Sequence, residues 1–399
     1  MNLIIGKLNT KALIKKYLLV LSIIFLLSCS TKNTSVDYFC QAEPDITPTL
    51  FAPDFISVKG RFEHGISFTP DTQELAFGIL NKNDFSGEIR YSKKVNNTWN
   101  TPESFEPLKN KSVYLPYFSP NGTSMLFAQN KSNTNNGITD IWMLAKNNNV
   151  WEQPKKVIGA INSSARESMA SMTMDNKIYF SSNRDGNGLA DLYFANSENG
   201  KYSTVERLDS ICTLGDEESI FIAADESYLI FSRYASNDNG PDLFISYRDN
   251  KGKWMAPTIL NTKINTANWE RRPFVSIDNN FLFYTKLTFD AKGLVESDIY
   301  WVSTKKVFSP YVFNEISDLT IKSGTESKTT IPTDYFKDID SEKLKLSINQ
   351  KELNWISFDE DKMVLTMFPT NAGTYELKFT AMDNYLNSTM SSVKIIVEE

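Results

Sequence analysis

Four glutamates recur at one offset along this chain: Glu63, Glu167, Glu217 and Glu270 each lie eight residues before a turn residue, Asp71, Asp175, Asp225 or Asp278. Val113 holds the fifth position, eight residues before Asn121. Carboxylates grouped at one mouth of a channel raise one another's pKa and supply a general acid and a general base, as glycoside hydrolysis requires. They equally hold a cation, or hydrogen-bond a sugar or a peptide terminus. A third use is structural, each Glu bonding backbone N–H groups or an Arg of the neighbouring repeat and so fixing register. His64, the one histidine of the chain, stands beside Glu63, and Arg271 stands beside Glu270, with Arg166, Arg272, Tyr114 and Trp269 in the same segments. The candidate ligand-binding residues are therefore Glu63, His64, Glu167, Glu217, Glu270 and Arg271, and none is assigned as catalytic.

A single histidine excludes most His-dependent chemistry. No G-x-S-x-G elbow exists to partner His64 in a triad, and neither a G-x-x-x-x-G-K-[ST] phosphate loop nor an H-E-x-x-H zinc motif is present. The S-x-D-x-G-x-T-W boxes of sialidases are missing too. Beyond Cys29, the cysteines are Cys40 and Cys212, in no CxxC and beside no His; their spacing leaves a disulfide open.

The elements that carry the glutamates repeat. "ISFTPDTQELAFG", "PYFSPNGTSMLFA", "ASMTMDNKIYFS", "IFIAADESYLIFS" and "PFVSIDNNFLFYT" each read as a strand, an Asp or Asn turn and a second strand containing Phe, the turn residues spaced by 50, 54, 50 and 53. A third strand opens with an acid in "EIRYS", "DIWML", "DLYFA", "DLFIS" and "DIYWV", and a fourth carries Trp99, Trp151, Tyr202 or Trp254 after an Asn/Gly turn. Four short antiparallel strands at a period of about 50 residues make a propeller blade. The fifth unit lacks its fourth strand, and "LFAPDFISV" stands ahead of the first unit to supply it. The expected fold is all-β: a five-bladed β-propeller over 49–308, closed by its N-terminal strand so that no long edge is exposed. The 26 Phe and 17 Tyr agree with strands.

"FSPNGTSMLFA", "SSNRDGNGLADLYFA" and "DIYWVS" resemble the TolB-type, WD40-like propeller repeat, whose Pro-Asp-Gly turn precedes a Phe strand and an Asp-Ile-Tyr strand. The resemblance covers about residues 49–304; it implies the propeller fold and envelope lipoproteins or peptidase accessory domains, without one activity.

At the N-terminus "KALIKKYLLVLSIIFLLSCSTKN" sets lysines before about a dozen apolar residues, a signal-peptide pattern too short to span a bilayer comfortably, with an uncleaved membrane anchor as the alternative. "LLSC" resembles a bacterial lipobox, which implies a lipoprotein signal peptide over 1–28, lipidation of Cys29 as the mature first residue, and a tether over 29–48. The net charge is −6, and it becomes more negative once the lysines of the signal segment are removed. An acidic body argues against nucleic acid as a partner.

Residues 313–399 leave the period and alternate as strands in "LTIKSG", "KLKLSIN", "MVLTMF", "TYELKFTAMD" and "SVKIIVEE", a β-sandwich pattern. "LNWISFDEDKMVLTMFPTNAGTYELKFTAMD" resembles dystroglycan-type cadherin-like and bacterial immunoglobulin-like domains. That resemblance implies a possible Ca2+ site at Asp338, Asp340 and Asp383, although "KDIDSEKL" replaces the Gly and last Asp of the usual acidic turn; a solvated acidic turn is the alternative. No other cofactor is expected. The functional expectation is a lipid-anchored protein of the bacterial cell envelope, on the outer membrane facing periplasm or exterior. It binds an envelope protein, peptide or glycan at the channel mouth. The alternative is a carbohydrate-active enzyme, of glycoside hydrolase or lyase type, that uses those carboxylates.

Overall fold

The computed structural model describes residues 38–131, 137–234, 240–340, 343–349, 351 and 353–399. The signal segment, Cys29 and the first part of the tether lie outside the described residues. The chain forms two compact units, 1–42 and 43–399. Of the first, residues 38–42 are described, with the Gln41 N–H donating to the Tyr38 carbonyl (3.1 Å). Among the described residues no helix is long and apolar enough to cross a membrane.

The second unit begins with five antiparallel sheets. Sheet I runs Glu63–Phe68, Glu74–Leu80, Gly87–Val95, with Thr98–Trp99 and Glu103–Ser104 both on the last strand. Sheet II repeats this with Val113–Phe118, Ser124–Asn130, Thr139–Asn147, Val150–Trp151 and Lys155–Lys156. Sheet III is Glu167–Met172, Ile178–Ser182, Asp191–Ala195 and Glu206–Arg207; sheet IV is Glu217–Ile222, Tyr228–Tyr234, Pro241–Tyr247 and Thr258–Ile259. Sheet V takes Trp269–Val275, Phe281–Asp290 and Gly293–Ser303, and its outer strand is Thr49–Leu50, with Thr49 opposite Trp301 and Leu50 opposite Tyr300. The N-terminal strand thus closes the last sheet, as the truncated fifth repeat requires. First strands pack on one another in the cycle I, II, III, IV, V and back to I. This is the architecture of a β-propeller.

Side chains of one blade reach the backbone of the next. The Phe118 N–H donates to Ser67 Oγ (2.9 Å), and the Ile222 N–H donates to Ser171 Oγ (3.1 Å). Thr285 Oγ1 accepts from the Gly65 N–H (2.8 Å), and Ser297 Oγ donates to the Glu63 carbonyl (2.5 Å). The axis is not an open pore: Phe274 lies 6.1 Å from Phe68, 6.3 Å from Tyr117 and 5.9 Å from Phe221, ring centre to ring centre. At each turn the Asp or Asn closes its own loop; Asp71 Oδ1 accepts from Thr69 Oγ1 (2.6 Å) and the Gln73 N–H (3.1 Å), and Asp278 does the same with Ser276 and Asn280.

Every first strand also breaks register once, two residues after the Glu position. Gly65, Leu115, Met169, Ser219 and Arg272 have φ of 70, 59, 36, 60 and 56° and sit at the five irregularities. A bulge with a left-handed residue bends the strand and re-aims neighbouring side chains. Four of the five positions are not glycine, where a positive φ is uncommon and strained.

Beyond Ser303 the chain builds a sandwich. Leu319–Lys322, Ser388–Glu398, Gly373–Met382 and Lys345–Ile348 form one sheet, with the first pair parallel, and Ser327–Thr330, Val364–Met367 and Ile356–Asp359 form the other. Ile331, Tyr335, Leu365, Met367, Leu377, Phe379 and Ile395 fill the space between them. Tyr311 stacks on Tyr247 of sheet IV at 3.9 Å.

Candidate functional site

The recurrent glutamates do not open to solvent: Glu63, Glu167, Glu217 and Glu270 are each 0% exposed. Each carboxylate instead ties down the loop that leads into its strand. Glu217 Oε1 accepts from the Thr213 N–H (3.2 Å), Thr213 Oγ1 (2.5 Å) and Arg233 Nε (2.8 Å). Glu270 accepts from the N–H and hydroxyl of Thr266 (3.1 and 2.6 Å). Glu167 takes Ser163 Oγ, Ser182 Oγ (3.2 Å) and Lys131 Nζ (3.3 Å), and Glu63 takes Arg61 Nε (2.6 Å) and the Val58 N–H (3.3 Å). The ring of carboxylates facing a ligand is therefore corrected. The strand begins with the Glu pointing away from the channel into the loop behind it, and the partners lie mostly in its own blade.

Sequence signal for this staple exists in "NSSARE", "CTLGDE" and "NTANWE". A hydroxyl stands four residues before the Glu, and five before it stands a residue that bonds the preceding sheet. Asn162 accepts from the Ile141 N–H (2.7 Å) and donates to the Ile141 carbonyl (2.9 Å); Asn265 does likewise with Leu243 (2.8 and 3.0 Å). Cys212 holds the same position, its Sγ accepting from the Leu192 N–H (3.2 Å). That accounts for this free thiol without redox chemistry. Burial pushes its pKa up to about 12.

The acid that opens each third strand meets the Glu of the following blade. Lys131 bridges Asp140 (3.2 Å) and Glu167 (3.3 Å), and ligand atoms of Asp191, Cys212 and Glu217 lie within 4.8 Å of one another. The Asp242 charge raises Glu270, and the Asp298 charge raises Glu63. In both glutamates burial is the larger cause, and each carboxyl is pushed up to about 7. Where Val113 replaces Glu, sheet I offers Glu88, which turns to Arg90 (3.0 Å) instead. The Asp191–Cys212–Glu217 group has the composition of a metal site, yet Arg207 on Asp191 (2.7 Å) and Arg233 on Glu217 (2.8 Å) already neutralise it, and its thiol keeps its proton.

The cavity facing the glutamate end of the axis has a volume of about 580 Å³. Its walls come from the bulge residues and their neighbours: His64, Leu80 and Phe85 of sheet I, Tyr114, Leu115 and Ile138 of sheet II, Arg166, Ser168 and Asn183 of sheet III, and Arg272 of sheet V. Among the described residues no carboxylate lines it. His64 is 5% exposed, and both ring nitrogens are buried without a hydrogen-bond partner among the described residues. Burial, then the charges of Arg272 and Arg271, hold its imidazole well below the usual range, so it is neutral. Behind the cavity Glu218 accepts from Arg166 Nη1 (2.7 Å) and pairs with Arg271. Arg272 has no such partner: its Nε and Nη1 are buried and unbonded among the described residues. Burial and the Arg166 charge bring it down to about 9, still protonated at neutral pH. His64 and, one layer behind, Arg271 thus belong to this end of the propeller, whereas the four glutamates do not line the cavity.

In the sandwich, Asp338 Oδ2 is buried and unpartnered among the described residues, and burial with the Asp340 charge pushes this carboxyl up to about 7. Asp383 is committed to its own turn: Oδ1 accepts from the N–H groups of Tyr385 and Asn387 (both 2.8 Å), and Oδ2 from Asn387 Nδ2 (2.7 Å). Ser341 and Glu342 lie outside the described residues. The charges of Asp340 and Asp383 both act on Asp338, so the three aspartates lie near one another; among the described residues they supply fewer than the six to eight oxygens that calcium takes.

No family model matches the chain, and no curated protein matches it. Among solved structures, the chain is similar to a glycoside hydrolase (8% identity, 75% of this chain and 96% of that one, TM-score 0.46). It is also similar to an endo-arabinase from Bacteroides thetaiotaomicron (12%, 65% and 95%, TM-score 0.40). A third is the β-propeller domain of the Trilobed protease from Pyrococcus furiosus (10%, 84% and 95%, TM-score 0.34). At this identity and superposition the activities of these proteins do not transfer. The class of protein, an all-β chain with a propeller, stands on its own strand pairing.

Proposed function

We propose that the protein is a non-catalytic binding module of the bacterial cell envelope, held by lipid on Cys29, whose propeller takes its ligand in the cavity between His64, Tyr114, Arg166 and Arg272. One observation carries this reading: among the described residues the cavity has no carboxylate in its wall. Hydrolysis of a glycoside needs an acid and a base that touch the scissile bond. Glu63 and Glu270 have the raised pKa of a general acid, but both are sealed from solvent. Among the described residues, the alternative, a carbohydrate-active enzyme, has no such pair at the cavity. The envelope location and anchor rest on the N-terminal sequence, and the TolB-like and cadherin-like characters on the motifs quoted above; the sandwich serves as spacer or second binding module.

Ile138 is 38% exposed on the cavity wall, so Ile138→Trp fills the cavity without disturbing a core. The full chain is screened by thermal shift against neutral and acidic oligosaccharides and short peptides. The expected result is a ligand whose shift is absent in Ile138→Trp and no release of reducing or unsaturated sugar ends. Sugar-end release would overturn the reading.

A further inference from the structure

Among the described residues the charges around the cavity are unbalanced. Arg166 and Arg271 both pair with Glu218, and Arg272 does not. Asp216, whose charge acts on Arg166 and Arg271, has one oxygen held by the Ala190 N–H (2.8 Å). Arg272 lines the cavity with two donors unmet, on a bulge that holds its backbone at φ 56°. A half-buried guanidinium with two buried nitrogens unbonded among the described residues is costly unless an anion completes it, and its planar fork suits a carboxylate.

The other walls decide what carries that carboxylate. Leu80, Phe85, Leu115 and Ile138 present apolar surface, with Phe85 60% exposed at the rim. Two wall hydroxyls are in use: Tyr114 Oη donates to the Phe85 carbonyl (2.7 Å) and accepts from Asn130 Nδ2 (2.9 Å), and Thr139 Oγ1 donates to the Glu167 carbonyl (2.5 Å); Ser168 Oγ accepts from Arg166 Nη2 (3.4 Å). Asn183 Nδ2 donates to the Gly188 carbonyl (3.0 Å). Beyond His64, Ser168 and the arginines few polar groups are left to meet the several hydroxyls of a sugar ring, whereas the apolar walls suit an aliphatic or aromatic side chain.

We propose that the cavity captures the C-terminal carboxylate of a peptide whose last side chain is apolar, with Arg272 and Arg166 binding the anion; this rests on the binding-module reading above. Fluorescein-labelled peptides, randomised except for a C-terminal Leu, Ile or Phe, are titrated into the full chain as free acids and as amides, with fluorescence polarisation as readout. The free acids bind at least tenfold more tightly, and Arg272→Gln removes the difference. Its melting temperature is unchanged or higher, because the variant removes an unpaired buried charge; a purely structural arginine would lower it. Equal binding of acid and amide, or full binding by Arg272→Gln, overturns the proposal. Binding of a hexuronate oligomer in place of the peptides, lost in Ile138→Trp, overturns the peptide assignment and leaves the binding-module reading standing. Failure of every probe, with Ile138→Trp indistinguishable from the parent, sinks both.

Discussion

Glu63 and Glu270 show how one residue type at one repeated position acquires a property that resembles function. Their carboxyls are raised because burial disfavours the anion and because Asp298 and Asp242 add like charge. The stability consequence has a definite sign. A carboxyl whose folded pKa exceeds its unfolded value binds its proton more tightly in the folded state, so its contribution is complete below about pH 4.5 and is lost as pH rises through about 7. The melting temperature should therefore fall between pH 5 and pH 8. In a Glu63→Gln, Glu270→Gln double variant that fall should shrink, by about 1 kcal/mol or more per carboxyl, as followed by thermal melts across the range. An unchanged slope would mean that the two groups titrate normally.

At the level of the strand and its lead-in loop, the staple is the repeated device. Glu217 satisfies a backbone N–H, a hydroxyl and the Arg233 guanidinium, which is 14% exposed. Glu217→Ala strands that buried cation and should cost about 3–5 kcal/mol in denaturant unfolding. Thr213→Val, which removes one hydroxyl donor, should cost about 1 kcal/mol. A Glu217→Ala variant as stable as the parent would show that the staple is dispensable. The period of the glutamates was legible in "NSSARE", "CTLGDE" and "NTANWE", but the direction of their side chains was not. A bulge two residues downstream reorients the strand, and only Gly65 among the five bulge residues advertises its left-handed backbone by residue type.

For the whole ring, closure depends on the N-terminal strand. Phe51, 0% exposed, packs on Phe283 (5.0 Å) and Trp301 (5.3 Å) of sheet V just after Thr49–Leu50 pairs with it. Phe51→Ala should cost about 3–5 kcal/mol. Amides of Gly293–Ser303 should then exchange first, because that strand becomes an edge. Uniform loss of protection across all five sheets would instead mean that the ring unfolds as one unit.

The sequence by itself determined the repeat, the strand order within each repeat, the closing strand and the change to a sandwich after the fifth unit, because period, turn chemistry and alternation are local. It also located the segments that reach the cavity end of the axis. Only the tertiary structure decided which residues of those segments face the cavity. His64, Arg166, Ser168 and Arg272 come from three different repeats, and their convergence, with Arg272 left unpaired among the described residues, depends on the backbone bulges and on neighbours some 100 to 200 residues apart. Burial and charge balance are properties of that convergence, so no single segment could have shown that the repeated glutamates hold loops while an unrepeated arginine faces the cavity.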